Sequence, residues 1–288
     1  MILPNIDQAA NRKPGLKYWA QQVLEESATV GDSLEPDSVH DLRVALRRCR
    51  SMADGFIRID PHPKWKKLKK VGKALFSSLG GLRDAQVMAE WVNRLSGPDD
   101  PVRAVLLEFL MARQEKLKSA ARDEIGRFDR KRWDALARAC AKRAGAVPAG
   151  GLVFQHLAVE RWEKAYGLHR RALRNRSQAS FHALRIGLKK FRYTVENFLP
   201  RHHEKWGADL KELQDLLGEI HDLDVLTKTI NGRPGLDRDA RLRWRMKIRE
   251  ERRQRLETYR HRMVGPRSLW RVWRAALPEY DRPELHTP

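Results

Sequence analysis

One eleven-residue pattern occurs twice in the chain, and it restricts the fold more than any other feature. His40-Asp-Leu-Arg43-Val-Ala-Leu-Arg47-Arg48-Cys-Arg50 leads on to Phe56. It returns 142 residues later as His182-Ala-Leu-Arg185-Ile-Gly-Leu-Lys189-Lys190-Phe-Arg192, leading on to Phe198. At roughly 100° per residue, His40, Arg43, Arg47 and Arg50 fall in a stripe roughly 80° wide on a helix. Leu42, Leu46, Cys49, Ala53 and Phe56 gather on another face. The second copy repeats both faces, with His182, Arg185, Lys189 and Arg192 on one and Leu184, Leu188, Phe191, Val195 and Phe198 on the other. A lone helix of this kind reads as amphipathic with a solvated charged side. Two copies with the histidine in register point instead to a shared site.

The surrounding breaks repeat as well. Residues 1–14 read as a lead-in ended by Pro14-Gly15. A helix follows from Leu16 to about Val30. Pro36-Asp37-Ser38 opens the His40 helix, and Asp60-Pro61-His62-Pro63 closes it. A third helix is predicted from Lys64 to Leu79, stopped by Gly80-Gly81, with Asp84 capping a short helix to Leu95. Ser96 to Pro101 is a clear break, and two more helices reach Arg143. The Gly- and Pro-bearing run 144–151 reads as a linker. Beyond it the order recurs: a helix from about Val153, the His182 helix, a helix from about His203, then Gly218-Glu-Ile-His-Asp222 matching Gly80-Gly-Leu-Arg-Asp84. Long helices from Pro101 and from Leu236 also correspond. Strand alternation is absent. The expectation is an all-α fold made by tandem duplication, residues 15–145 and 152–288, as two helix bundles related by a pseudo-two-fold axis.

Composition bears on the partner. Lys and Arg total 58 against 37 Asp and Glu, a net charge of +21. That balance predicts a polyanion: nucleic acid, an anionic surface or a phosphate polymer. Apolar residues make up 41 % of the chain, enough for a core. Cys49 and Cys140 give no disulfide framework. Met1 to Ala10 shows neither a basic n-region nor a signal-length apolar run, and no stretch suits a membrane span. The expected location is the cytoplasm.

The paired motif, Tyr193 after the second copy, and the glycine-to-aspartate runs after the following helices resemble the CHAD domain, the conserved histidine α-helical domain. The resemblance extends from roughly Leu16 to Leu277. It implies two four-helix bundles around a basic cavity, binding of inorganic polyphosphate, and association with polyphosphate granules as a targeting module rather than an enzyme. No cofactor and no metal are implied. The Glu-x-Glu-x-Lys signature of the triphosphatase domain that accompanies some CHAD domains does not occur in this sequence. By position, the ligand-facing set is His40, Arg43, Arg47, Arg48 and Arg50 with His182, Arg185, Lys189, Lys190, Arg192 and Tyr193. Tyr193 stands where the first copy has Ser51, and His221 where it has Arg83.

The chemistry of these residues suits an extended phosphate chain. Arginine offers paired donors, lysine a point charge, and a stripe from His40 to Arg50 covers roughly 15 Å of helix. Lys66, Lys69, Lys70 and Lys73 form a further stripe, whose duplicate keeps only Lys211. A second basic wall is therefore expected in the first half. Asp54 and Glu196 read as ion-pair partners that fix arginine rotamers. The matched histidines are open to three readings: a neutral group that orients an arginine or caps its helix, a direct phosphate donor when protonated, or a metal ligand. Metal-ligand spacing is missing. Asp84 and Asp222 read as helix caps rather than catalytic carboxylates. Trp244, amid arginines, reads as a core residue rather than a base-stacking platform. Arg252 and Arg255 are expected on the outer surface of the last long helix. Two alternatives to polyphosphate binding remain: a nucleic-acid binder, with nucleic acid competing for the site, and a phosphohydrolase, for which no carboxylate cluster can be assembled from the sequence.

Overall fold

The structure, a computed structural model, describes residues 15–30, 34–97, 99–233 and 235–279. Among these residues it is all helical, with eleven α-helices and no strand. The helices are α1 (Leu16–Thr29), α2 (Pro36–Ile59), α3 (Pro63–Val71), α4 (Lys73–Leu95), α5 (Pro101–Arg127), α6 (Arg130–Ala144), α7 (Leu152–Asn175), α8 (Gln178–Phe198), α9 (Pro200–Asn231), α10 (Arg238–Met263) and α11 (Leu269–Ala275). The lead-in 1–14 and the end of the second repeat, 280–288, lie outside the described residues.

Short polar residues start these helices by accepting orphan backbone N–H groups. Asp100 accepts from Val102, Asp129 from Arg132, Ser177 from Ser180 and Asp237 from Ala240. Proline sits at the first turn of α2, α3, α5 and α9, where its missing N–H costs nothing. Arg176 ends α7 in the left-handed region, at φ 53°.

Two helix boundaries differ from the sequence reading. Gly80-Gly81 does not stop a helix, because α4 runs through both to Leu95. The glycines are there for close approach instead. A Cβ on Gly80 would lie 3.0 Å from Arg43 Nη1, and one on Gly81 would lie 3.1 Å from Leu117. The break falls earlier, at Gly72, where a Cβ would press within 2.8 Å of the Trp133 ring. α9 likewise continues through Gly218. Asp84 and Asp222 are thus mid-helix residues, and neither is a cap.

The apolar core does not divide at the linker. One cluster draws on all eleven helices, including Ala121 of α5 and Tyr259 and Met263 of α10, so it spans both copies of the motif. Its seam is aromatic. Phe198 stacks on Phe154 at 4.3 Å and meets Phe56 edge-on at 5.3 Å, while Gly55 gives the Phe198 ring room that any Cβ would take. Truncating a buried Phe to Ala costs about 3–5 kcal/mol in such a core. A smaller cluster joins Met88, Trp91 and Val92 of α4, the start of α5, Leu223 to Ile230 of α9, and Trp244 of α10. Trp244 is 1 % exposed and hydrogen-bonds Asp100, so it is a core residue.

Candidate functional site

α2 touches α8, α8 packs on α9, α9 meets α4, and α4 packs on α2. The two motif helices bury their apolar faces in the shared core, so their basic stripes are left to face the space between the repeats. Lys189 of α8 records this directly: burial, then Arg47, Arg185, Arg43 and Arg50, push its ammonium down to about 8. Three of those four arginines come from the other copy of the motif. Burial likewise lowers Arg43; Asp84 opposes the fall, and Arg47 and Arg83 add to it. Arg43 Nη1, Arg47 Nε and Arg185 Nε are buried without a protein hydrogen-bond partner. Buried cationic donors without acceptors are costly, and an anion in the groove would satisfy them.

Aromatic faces hold the stripes in place. The Arg43 and Arg50 guanidiniums lie 5.3 and 4.9 Å from the Phe76 ring centre on α4. Lys189 and Arg192 lie 5.9 and 5.6 Å from that of Tyr193, which is buried. Such contacts contribute about 0.5–2 kcal/mol each, more when desolvated.

The structure sorts the remaining candidates. Arg48 spans the repeats to Glu196 at 2.6 Å and lies over Trp19, and Glu196 also sees Arg192 at 3.8 Å. Glu196 thus fixes arginines, as its sequence position predicts; Asp54 instead takes Lys69. The lysine stripe is cut by the Gly72 break, since Lys66, Lys69 and Lys70 belong to α3 and Lys73 opens α4. Lys66, Lys70 and Lys73 are exposed, and the charges bearing most on Arg43 and Lys189 come from α2, α4 and α8 rather than α3. Lys211 pairs with Asp215 one turn along its own helix, and Lys190 is exposed.

The histidines are not caps, because each sits a full turn inside its helix. His40 is exposed. His182 Nδ1 lies 3.3 Å from His221 Nδ1 on α9, so one ring donates to the other. Burial, Arg185, His182 and Lys228 hold His221 down at about 4.

Two carboxylates enter the groove that the sequence reading assigned to caps. Burial raises Asp84 although Arg43, Arg185, Arg113 and Arg83 oppose it. Asp84 is reached by solvent yet walled in by protein, as a group on the side of a groove would be. Burial raises Asp222 to about 6; Arg185 opposes this, and Asp84 and Glu219 add to it. The matched position of the two aspartates was legible in the sequence, while Phe76 and Arg113 carried no signal. Arg252 and Arg255 also depart from expectation. They bind Asp224 and Glu219 at 2.8 and 2.5 Å and lie over Phe181 and Trp91, so they tie α10 down.

A cavity of about 640 Å³ is lined by Arg48 and Glu196 together with Trp19, Met52, Phe56 and Phe198. Its lining is mostly apolar, and Arg43, Arg47, Arg185 and Lys189 are not part of it.

The fold and the groove together define an all-helical protein whose two copies of one basic helix face each other. Comparison places it more closely. The sequence model of the CHAD domain matches residues 16–231, and the chain belongs to that family. α10 and α11 lie beyond the matched range. The structure resembles the crystal structure of the CHAD domain from the plant Ricinus communis, with a TM-score of 0.60 and 19 % identity over 85 % of this chain and 88 % of that one. It also resembles PptA from Streptomyces chartreusis, with a TM-score of 0.61 and 15 % identity over 85 % of this chain and 94 % of that one. No curated protein matches by sequence. Among the described residues, no helix is long and apolar enough to cross a membrane.

Proposed function

We propose that this protein binds inorganic polyphosphate in the groove between α2 and α8, as a non-catalytic targeting module that associates with polyphosphate granules. The observation that carries the reading is the set of buried arginine donors without protein acceptors, Arg43 Nη1, Arg47 Nε and Arg185 Nε. They gather from both copies of the motif around Lys189, a half-buried ammonium lowered first by burial and then by four arginines. Such a set is strained when empty and relaxed by a ligand of high, continuous negative charge. A linear phosphate chain supplies that charge at every residue and accepts from guanidinium forks. Nucleic acid is the competing ligand. It carries less charge per length and asks for base-stacking faces, whereas Phe76 and Tyr193 are already covered by cations.

The test is a competition titration of defined-length polyphosphate against DNA and RNA of equal charge, over a range of salt. Binding that favours polyphosphate at every salt concentration supports the reading. Equal displacement by all three polymers, with a common salt slope, means diffuse attraction and sinks it. Phosphate release in magnesium or manganese would replace the non-catalytic part of the reading with a hydrolase.

A further inference from the structure

Two aspartates have no part in a purely basic polyanion site, yet the fold places them in its wall. Asp84 and Asp222 hold matching positions on α4 and α9, which pack on each other. Asp84 lies one turn beyond Gly80, where a Cβ would come 3.0 Å from Arg43 Nη1. Asp222 follows His221, whose ring meets His182 of α8 at 3.3 Å, so the two carboxyls act on each other. Arg185 acts on both. Neither caps a helix, and neither has a hydrogen-bonded arginine of its own, in contrast to Asp224 and Glu219. A carboxylate left so, in a groove built for anions, repels the ligand.

We propose that Asp84 and Asp222 are the selectivity residues of the groove: they couple anion binding to proton uptake and exclude ligands of low charge density. This rests on the polyanion reading above. A bound anion adds negative charge beside both carboxyls and removes them from water, and both changes favour the protonated acid. The proton comes from solvent and stays on the carboxyl while the ligand is bound; no covalent bond is made to the ligand. A sparse anion, such as a single phosphate, gains too little from the arginines to offset the repulsion. A dense polymer gains enough to drive protonation.

The groups facing these carboxyls set the sign. Asp84 faces Arg43 from α2, Arg185 from α8, Arg113 from α5, and Arg83 on its own helix. Asp222 faces Arg185 from α8, Arg83 and Asp84 from α4, and Glu219 on its own helix. From α10, Arg255 is taken by Glu219 and Arg252 by Asp224. His182 and His221 lie beside this set, ring to ring at 3.3 Å, and burial first, then Arg185, holds His221 down at about 4. Arginines do not titrate in this range. With the bound-state carboxyl value above the free-state value, affinity is fully expressed at low pH and falls as pH rises through the range between the two.

The experiment uses the full chain, polyphosphate of one length, and calorimetry in buffers of different ionisation enthalpy at about pH 6 and about pH 8. The native protein is expected to take up protons on binding. Asp84→Asn with Asp222→Asn should bind roughly tenfold tighter at about pH 8, take up fewer protons, and accept monophosphate more readily. Each single variant should show part of the effect. Melting curves check that all are folded. Weaker binding by the folded Asn variants at both pH values would make the aspartates mere props for Arg185 and overturn the proposal. So would proton uptake unchanged in them but lost in His182→Gln or His221→Gln. Native protein that binds no polyphosphate at either pH overturns the ligand assignment along with it, whereas tight native binding with unaltered Asn variants overturns the proposal alone.

Discussion

The two walls of the groove descend from one motif but differ in the permanence of their charge. The first wall carries Arg43, Arg47 and Arg50, two of them held on Phe76, with Arg83 behind them. Those groups stay protonated at any ordinary pH. The second wall has Lys189 where the first has Arg47, and His221 where the first has Arg83. Lys189 at about 8, His221 at about 4 and Asp222 at about 6 all respond to acid or to a ligand. The difference teaches that two copies of one motif can face the same groove and still diverge in chemistry. The basic groups of the first wall are all arginines, with Asp84 as its adjusting group, whereas the second mixes Arg185 and Arg192 with Lys189, His221 and Asp222, which adjust.

The comparison breaks most sharply if one wall proves dispensable. Arg43→Glu with Arg47→Glu, and separately Arg185→Glu with Lys189→Glu, should each weaken polyphosphate binding on the order of 100- to 1,000-fold, since two charge-assisted donors are lost and reversed. Arg245 and Arg249, exposed on α10, give a control of equal net charge change, with a loss of about fivefold or less. A second-wall pair that matches this control would leave the first wall as the whole site.

Next in size is the pH response. Lys189 loses its proton as pH rises through about 8, so affinity should fall between about pH 7 and about pH 9. Lys189→Arg makes the second wall permanent, and the fall should flatten by roughly tenfold at the upper end. An unchanged pH profile in isothermal titration would show that Lys189 is not the adjusting group. His221→Arg copies the first wall's Arg83 into the second and should tighten binding about three- to tenfold at about pH 8, through one added charge-assisted donor beside Asp222. Smallest is a stability effect. Lys189→Gln removes a repelled half-buried cation and should raise the unliganded melting temperature by about 2–4 °C while shrinking the increment that polyphosphate gives.

Much of this was legible in the chain before folding. Helical periodicity places Arg43, Arg47, Arg185 and Lys189 on one face, and burial of Leu46, Leu188 and their neighbours leaves that face only one place to turn. What the sequence hid were contacts that no local rule encodes. Gly80 resembles a helix stop because glycine usually is one; only the position of Arg43 on a different helix explains it. Asp84 resembles a cap for the same reason. Arg255 resembles free surface until α9 supplies Glu219 and α4 supplies Trp91. The lysine stripe from Lys66 to Lys73 has helical spacing, yet Trp133 packs into the chain at Gly72 and splits it. Each misreading is a local signal overridden by a partner far along the chain.

The aromatic seam has a consequence for how the groove meets its ligand. Phe198, wedged against Gly55 and stacked on Phe154, fixes where α8 sits relative to α2. The distance between the walls is therefore a property of packed rings rather than of whatever lies between the cations. A site gauged in advance pays little to close around its guest, so discrimination falls on fit along the groove and on arrival rate rather than on rearrangement. Shaving the Phe198 ring, remote from the motif's ligand-facing stripe, would then register as lost affinity among the molecules that still fold.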